Sequence, residues 1–357
     1  MSPASSPGQA APAVAVPRLL GRLQAAQIGL VINDDDAYSV AVGEHYQRQR
    51  GLAPAQVLHV RLPVRARLEL AQAETLRSRI AGHFGPNIQA LALAWRQPFA
   101  VQCNSITSVV TLGFRPAQCE STCGKGEPSP LFNQATVTPF TDLGVRPSML
   151  LAAPDEAAAR AMIDRGVAAD GTLGRRFAPA VSAWYLQTTD AARNVRNALY
   201  PRPGPVGQTG LTVHTGPEAA LARQPGDPAV LLQIGAARWQ PPVPLRWAPG
   251  ALADHLTSFG GVLDGTSGQF TATDWIAAGA TASHGTVSEP CNHLQKFPHP
   301  QVVLLHYLQG ATAIEAYWKS VLWPAQSLFV GEPLAAPFGP PSLAARPAGQ
   351  TPIIAPL

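Results

Sequence analysis

The segment Gln27–Gly51, QIGLVINDDDAYSVAVGEHYQRQRG, decides the fold class. Its first part, Gln27–Asn33, is mostly apolar and rich in β-branched residues, which indicates a buried strand. The three aspartates that follow favour a helix N-terminus, and Gly51 supplies a stop after the helix. The same order of strand and helix returns at residues 56–84 and 147–168. We therefore predict an α/β fold with a mainly parallel sheet flanked by helices.

Further segments extend this pattern along the chain. We predict buried strands at residues 88–95, 180–187, 229–234, 275–283 and 327–330 from their apolar, β-branched runs. Helices are predicted at residues 190–199 and 302–318, and no internal repeat is present.

The composition limits the classes of function. Hydrophobic residues make up 46% of the 357 residues, which is enough for a core and argues against disorder. The net charge of +4 comes mainly from scattered arginines without interleaved aromatic residues, so we expect no nucleic-acid partner. No apolar stretch approaches the roughly 20 residues that span a bilayer, so we expect no membrane span. A small molecule or a peptide is the expected partner.

The two ends and one internal segment depart from the α/β pattern. Residues 1–24 are rich in Ser, Pro and Ala and are predicted to be a disordered leader. They lack the features of a signal peptide, so we expect an exported form to have its signal absent from this chain. Residues 25–338 are predicted to form a single α/β domain, followed by a proline-rich tail at 339–357. Within the domain, residues 96–145 are predicted to be an irregular, cysteine-containing insertion.

The segment Gly279–His299, GATASHGTVSEPCNHLQKFPH, carries the densest set of reactive side chains. His284 follows a run of small residues, and Glu289, Cys291 and His293 come soon after it. Imidazole, thiolate and carboxylate groups together suit a transition-metal site, with zinc or copper expected, or a nucleophile and its base. The spacing matches no standard zinc motif. The alternative is that the histidines bond to the backbone of a loop and that Cys291 forms a disulfide.

The segment Ala251–Gly261, ALADHLTSFGG, concentrates Asp254, His255 and Ser258 before a pair of glycines. A Ser/His/Asp set is the chemistry of nucleophilic hydrolysis. Adjacent side chains do not generally converge, so a triad would recruit a partner from elsewhere, and His284 is the candidate. The alternative is a helix that these polar residues cap.

The four cysteines allow two interpretations. In an exported protein they would form two disulfides, with Cys119–Cys123 closing a short loop and Cys103–Cys291 joining the insertion to the C-terminal candidate site. In a reducing compartment, three or four of the thiolates would bind zinc or copper. The lack of a Cys-X-X-Cys pair in the sequence favours the disulfides, or a mixture of disulfide and metal-bound cysteines, over a pure metal site.

Several stretches resemble a family of conserved bacterial proteins without an assigned activity. They are VINDDDAYSVAVGEHYQRQRGL, CNSITSVVTLGF, PFTDLGVRPSMLLAA, AMIDRGVAADG, ADHLTSFGG, ASHGTVSEPCN and IEAYWKSVLWPAQSLFVGEPLAAPF, which span most of the chain from Gly29 to Phe338. A more distant similarity is to gingipain-type cysteine peptidases, which have a caspase-like α/β fold. Pro147–Gly171 resembles a strand–helix unit of those peptidases, Gly279–Thr286 a late strand, and Leu328–Pro333 their closing strand.

The resemblance implies a caspase-like fold with a catalytic histidine after one strand and a cysteine after the next. The equivalent positions here are Ile234–Ala237 and Ala253–Ser258, which contain neither a histidine in the turn nor a cysteine. Two hypotheses about function follow. The first is an enzyme-like protein, metal-binding or hydrolytic, with its site at the carboxyl ends of the strands. The second is a non-catalytic binding protein on a degenerate peptidase-like scaffold. The residues expected in an enzyme site are Asp254, His255, Ser258, His284 and Cys291 for catalysis, and Cys103, Cys119, Cys123, His284, Glu289, Cys291 and His293 for a metal.

Overall fold

The computed structural model describes residues 21–174, 178–207, 209–223 and 226–340. Most of the predicted leader and of the predicted tail lies outside the described residues. Within them, the main sheet has eleven strands, and all but two of its neighbouring strand pairs are parallel. The predicted α/β fold, a large and mostly parallel sheet flanked by helices, is therefore confirmed.

The strands are β1 (Ile28–Asn33), β2 (Val57–Val60), β3 (Arg67–Leu68), β4 (Ala90–Leu93), β5 (Ala100–Val101), β6 (Asn104–Ser105), β7 (Ser148–Leu150), β8 (Val181–Gln187), β9 (Gly204–Pro205), β10 (Leu211–Pro217), β11 (Ala229–Gly235), β12 (Trp247–Leu256), β13 (Ala282–Thr286) and β14 (Ser327–Gly331). The helices are α1 (Ala37–Arg50), α2 (Leu70–His83), α3 (Ile106–Leu112), α4 (Ala117–Glu120), α5 (Pro139–Leu143), α6 (Glu156–Ala169), α7 (Ala272–Ala278), α8 (Pro300–Leu308) and α9 (Ala313–Ser320). The order across the main sheet is β2-β1-β4-β7-β14-β13-β12-β11-β8-β10-β9, and β3, β5 and β6 form a small second sheet.

The main sheet consists of two parallel blocks that run in opposite directions. The first block is β2, β1, β4, β7 and β14, and the second is β13, β12, β11, β8 and β10. They meet where β13 pairs antiparallel with β14, with Ala282 opposite Gly331 and Thr286 opposite Ser327. The carboxyl ends of the two blocks therefore lie at opposite edges of the sheet. Residues that follow strands come together only within one block.

Helices cover both faces of this sheet. Helices α1, α6 and α7 pack together on one face, here called the α7 face, and α3, α8 and α9 lie on the other, the α9 face. The central strands are therefore buried on both sides, which explains why β1 and β11 are apolar throughout most of their length. Helix α1 begins as predicted, because the Asp36 side chain accepts a hydrogen bond from the Tyr38 amide. None of the helices in the described ranges is long and apolar enough to cross a bilayer.

Two predicted strands or helices have a different structure. Residues 275–283 were predicted to be one strand, but helix α7 continues to Ala278, and β13 begins only at Ala282. Thr271 and Asp274 form a capping box that starts this helix, and Gly279 ends it with φ of 115°. Residues 302–318 were predicted to be one helix, but Gly310, with φ of 94°, separates α8 from α9.

Other predictions for the second block also need correction. Residues 190–199 contain a 3₁₀ helix at Asn194–Leu199 rather than a full α-helix. Ala251–Gly261 is not a capped helix, because its first half is the end of β12, an interior strand of the sheet. Outside the second block, residues 96–145, the predicted insertion, contain β5, β6, α3, α4 and α5.

Candidate functional site

Strand β12 separates the residues of the predicted hydrolase set. Successive side chains of a strand point to opposite faces, so Asp254 and His255 diverge. Asp254 faces Tyr317 on the α9 face, whereas His255 contacts Trp275 on the α7 face. Ser258 lies beyond the end of the strand. The structure therefore does not bring these three side chains together as a triad.

Asp254 belongs to a row of buried polar side chains on the α9 face. The strand register places Tyr185 beside Gln233, and Gln233 beside Asp254. The register between β12 and β13, continued by two residues from Leu252 opposite Ala282, makes His284 the next member. All four side chains belong to residues that are at most 2% exposed. We call Tyr185, Gln233, Asp254 and His284 the polar row.

Arg196 supplies the positive charge of the polar row. Its Nη1 atom lies 2.5 Å from Oδ1 of Asp254, and its Nη2 atom donates to the carbonyl of Ile234 at 3.1 Å. The Gln233 amide donates to the other carboxylate oxygen of Asp254 at 2.8 Å. Burial raises the pKa of Asp254, while Arg196 and Gln233 act in the opposite direction. Asp254 is therefore engaged in a buried ion pair.

His284 is the least satisfied member of the polar row. Neither ring nitrogen has a hydrogen-bond partner among the described residues. The ring centroid lies 5.5 Å from that of Phe329 and 6.1 Å from that of Phe297, so the imidazole has aromatic neighbours. Burial lowers the pKa of His284 well below its usual value, and the charge of Arg196 lowers it further. His284 is therefore a neutral imidazole inside the core.

His255 connects two aromatic residues on the α7 face. Its Nδ1 atom accepts a hydrogen bond from the indole Nε1 of Trp275 at 2.9 Å, and its Nε2 atom donates to the carbonyl of Phe270 at 2.8 Å. Burial lowers the pKa of His255 to about 4, so the ring is neutral near pH 7. Both nitrogens are used, and the residue positions Trp275 and Phe270.

All four cysteines form disulfides, but the predicted pairing was wrong. Cys103 is bonded to Cys119, and Cys123 is bonded to Cys291. Asn104 explains the first bond, because its side chain accepts from the Arg115 amide and donates to the Arg115 carbonyl. These two hydrogen bonds fold the insertion back on itself and place Cys119 beside Cys103. Cys123 is then bonded to Cys291.

The four cysteines predicted as metal ligands are paired in disulfides. With the sulfur atoms in disulfides, the thiolates of the predicted zinc or copper site are not present. Glu289 accepts a hydrogen bond from the Cys291 amide, and the His293 ring lies 5.9 Å from that of Trp323. Among the described residues, no group of three or more His, Cys, Asp or Glu side chains is placed to hold a metal ion.

A small cavity lies at the carboxyl edge of the second block. Its volume is about 70 Å³, and Arg193, Thr257, Ser258, Asn292 and Phe297 contribute to its walls together with Cys291. The Arg193 Nε atom donates to the hydroxyl of Thr257 at 3.2 Å.

A larger concavity lies on the α7 face, where the sequence indicated no site. Two adjoining cavities of about 520 and 350 Å³ share Trp239, Gln240, Phe270 and Asp274 in their walls. We call the combined concavity the aromatic groove. Its aromatic walls are Trp239, Trp247, Phe270 and Trp275, and its polar rim is Arg238, Gln240, Gln269 and Asp274.

The side chains of the aromatic groove pack around Trp275. The ring centroid of Trp275 lies 5.0 Å from that of Phe270, 5.2 Å from that of Trp239 and 6.2 Å from that of Trp247. The indole N–H of Trp275 donates a hydrogen bond to Nδ1 of His255. Aromatic pairs at these separations interact favourably, so the walls are fixed by mutual contact.

The indole N–H groups of the groove differ in their partners. Trp239 donates to a carboxylate oxygen of Glu218 at 3.0 Å. The Nε1 atom of Trp247 is buried and has no hydrogen-bond partner among the described residues. A Cβ atom on Gly279 would lie 2.5 Å from the Trp247 ring, so only glycine permits this ring position. Trp247 is thus held in place with an unused donor.

Sequence reasoning missed the aromatic groove because its residues come from separate segments. Trp239 lies in the loop after β11, Trp247 begins β12, and Trp275 lies in α7. The only signal was the presence of seven tryptophans in a chain with 7% aromatic residues.

Comparison with models of protein families, with characterised proteins and with solved structures finds no match to this chain.

Proposed function

We propose that this protein is a non-catalytic binding protein whose aromatic groove binds an extended, proline-rich peptide. One observation carries this proposal: four aromatic side chains, Trp239, Trp247, Phe270 and Trp275, wall two adjoining concavities on the α7 face. Flat aromatic surfaces with a polar rim suit an extended ligand that has apolar rings and free carbonyl oxygens.

The chemistry of a proline-rich peptide matches the groove. Such segments adopt the polyproline II helix, which has no internal hydrogen bonds and leaves its carbonyl oxygens free to accept. Aromatic-lined grooves recognise this conformation because proline rings pack against the flat indole surfaces and little conformational entropy is lost on binding. The adjoining cavities beside Trp239 and Trp247 provide two such surfaces in succession.

The bonding of the predicted catalytic residues also supports binding over chemistry. The cysteines are oxidised in pairs, His255 uses both ring nitrogens to position groove residues, and Asp254 neutralises Arg196. We also propose that the fold is related to that of the gingipain-type peptidases. The strand–helix unit β7–α6 and the late strands β13 and β14 occur in the order that the sequence resemblance implies.

Peptide titration tests the proposal. Deca-proline is titrated by calorimetry into the full chain, to concentrations above about 1 mM, with a Gly-Ser decapeptide as the negative ligand. Trp247→Phe replaces the indole by a smaller ring, so we expect its affinity for deca-proline to fall about fivefold, the equivalent of about 1 kcal/mol of lost aromatic contact.

The matched control is Trp323→Phe, which changes a tryptophan outside the aromatic groove. Its affinity should equal that of the wild type. Binding of the Gly-Ser peptide as tight as that of deca-proline, or identical affinities in the two tryptophan variants, would refute the proposed function.

Hydrolysis by Ser258 is a second candidate, favoured by the position of this serine. Ser258 lines the small cavity at the carboxyl edge of the second block, beside Arg193 and Asn292. An activated serine there should react with a fluorophosphonate probe, and Ser258→Ala should abolish the labelling. Absence of labelling in the native protein, or equal labelling of the variant, removes this candidate.

A further inference from the structure

We propose that the aromatic groove selects proline-rich peptides that carry an acidic residue beside the prolines, and that Arg238 recognises the carboxylate of that residue. This inference rests on the proposed function, because it names the ligand class and one specificity-determining residue of the same groove. Three observations carry it: the position of Arg238, the nitrogen atoms that its guanidinium leaves free, and the position of Asp274.

Arg238 lies at one end of the aromatic groove. It contributes to the wall of the larger cavity and not to that of the smaller one, whereas Trp247 contributes only to the smaller. Arg238 is exposed and directly precedes Trp239 in the loop after β11. A ligand that lies across Trp239 and Phe270 in the larger cavity therefore comes within reach of the guanidinium.

The guanidinium of Arg238 is held in place but keeps its outer nitrogen atoms free. Its Nε atom donates to the carbonyl of Gly268 at 2.6 Å, and this is its only hydrogen bond among the described residues. Gly268 has φ of 62°, and a Cβ atom there would lie 3.2 Å from Nη2 of Arg238, so glycine suits this close approach. The Nη1 and Nη2 atoms remain available. A carboxylate can accept from both of them at once, which is the strong, bidentate form of this interaction.

The loop that carries Arg238 is itself tied to the opposite wall of the groove. The Phe270 amide donates to the carbonyl of Ala237 at 2.9 Å, next to the bond between Arg238 and Gly268. The guanidinium is therefore fixed by both its backbone and its Nε atom before a ligand arrives. Less side-chain entropy is lost when such a group binds a carboxylate than when a free side chain does.

The position of Asp274 directs an acidic residue to the Arg238 end. Asp274 is partly exposed and contributes to the walls of both cavities. Its Oδ2 atom accepts two hydrogen bonds from Thr271, so this carboxylate is fixed at the start of α7. Within the described part of the chain, Arg238 and Asp274 form no ion pair with each other. A second carboxylate is repelled near Asp274 and attracted by Arg238, so the two charges give the groove a polarity.

The expected selectivity is small, because the pair between Arg238 and the ligand lies at the surface. Exposed pairs change an affinity by a small factor, and we expect about threefold here. An acidic peptide is also attracted by the net charge of +4 of the chain, whatever residue it contacts. The experiment must separate recognition by Arg238 from this general attraction.

The experiment compares four peptides with blocked ends on three forms of the full chain. In two peptides a single Glu precedes or follows nona-proline, and in the other two Gln takes its place. The proteins are the wild type, Arg238→Gln and the matched control Arg246→Gln. Arg246 is also exposed and also donates to a glycine carbonyl, that of Gly226, but it does not contribute to the walls of the groove. Both variants lower the net charge equally.

Affinities are measured by calorimetry, with deca-proline as the uncharged reference. The quantity compared is the ratio of the affinities of the Glu and Gln peptides within one protein, which cancels any general weakening of the groove by a substitution. We expect a ratio of about three for at least one placement of Glu in the wild type and in Arg246→Gln. In Arg238→Gln the ratio should fall to about one.

Three results would overturn the inference and leave the proposed function standing. The first is a ratio of one in the wild type for both placements of Glu. The second is an unchanged preference for Glu in Arg238→Gln, and the third is an equal loss of that preference in Arg246→Gln, which would assign it to net charge. Failure of the wild type to bind deca-proline and all four peptides would overturn the proposed function and this inference with it.

Discussion

Replacing Arg196 by Met tests the buried ion pair of the polar row. The side chains of Arg196 and Asp254 are 1% and 2% exposed, and their closest atoms lie 2.5 Å apart. Met fills much of the space of the arginine stem but leaves the Asp254 carboxylate with Gln233 as its remaining side-chain partner. Removal of one partner from a buried pair costs about 3–5 kcal/mol. We expect the free energy of unfolding at pH 7 to fall by that amount.

The loss should grow as the pH rises. Burial raises the pKa of Asp254, and the variant lacks the guanidinium that opposes this effect. Above the pKa of an unfolded aspartate, about 3.9, the unfolded chain releases a proton that the folded variant retains. The free energy of unfolding then falls with increasing pH, by about 1.4 kcal/mol per unit, until the folded carboxyl also ionises. The variant should therefore be closer to the wild type at pH 5 than at pH 7.

Urea unfolding at these two pH values, followed by tryptophan fluorescence, measures the effect. The matched control is Arg196→Met combined with Asp254→Asn, which removes the unpaired charge and keeps an acceptor for Gln233. We expect this double variant to recover at least half of the lost stability. A loss below ~1 kcal/mol at pH 7, the range of exposed pairs, would refute the reasoning, as would a double variant no more stable than the single one.

Three further predictions concern the disulfides and the walls of the groove. Replacing the Cys123–Cys291 pair by serines should lower the free energy of unfolding by about 2 kcal/mol more than replacing Cys103–Cys119. The reason is that the first disulfide restricts the unfolded chain over a sequence separation of 168 residues and the second over only 16. Equal urea midpoints of the two variants would contradict this prediction. Between pH 6.5 and 4 the unfolded His255 takes up a proton that the folded one, with pKa about 4, does not, and this lowers the free energy of unfolding as the pH falls. His255→Gln should remove this loss, which is about 1.4 kcal/mol per pH unit. An unchanged pH profile of urea unfolding would count against the prediction. Gly279→Ala should displace the Trp247 ring and cost about 1–3 kcal/mol, and it should weaken deca-proline binding in calorimetry; unaltered binding would show that the ring position is not needed.

The fold class could be predicted where local signals agree with burial. Residues 27–50 form β1 and α1 nearly as expected, because a run of apolar residues leads into a capping aspartate and a glycine stop. The prediction of one strand at residues 275–283 was wrong because short apolar runs rich in Ala and Gly occur in buried strands and in helices alike. The capping box of Thr271 and Asp274 was the better signal there. The reversal of direction between the two blocks could not be predicted, since it depends on the pairing of β13 with β14.

The candidate site was predicted less well, for physical reasons. Asp254 and His255 are adjacent in sequence, and on a strand adjacency sends their side chains to opposite faces of the sheet. The disulfide connectivity is one of three possible for four cysteines, and the turn made by Asn104 selects it. The aromatic groove depends on tryptophans from three segments that only the folded chain brings together.

The divergence of Asp254 and His255 explains how the groove obtains a rigid shape. On the α9 face, Asp254 ties β12 to Arg196, which in turn donates to the Ile234 carbonyl of β11. On the α7 face, His255 of the same strand accepts a hydrogen bond from Trp275 and donates one to the carbonyl of Phe270, so it positions both residues. The aromatic groove is thus built on an interior strand rather than on exposed loops alone. Because its walls are already ordered, a ligand loses less of its binding free energy to the ordering of side chains. A peptide that is itself stiff, as polyproline II is, makes the fullest use of such a site.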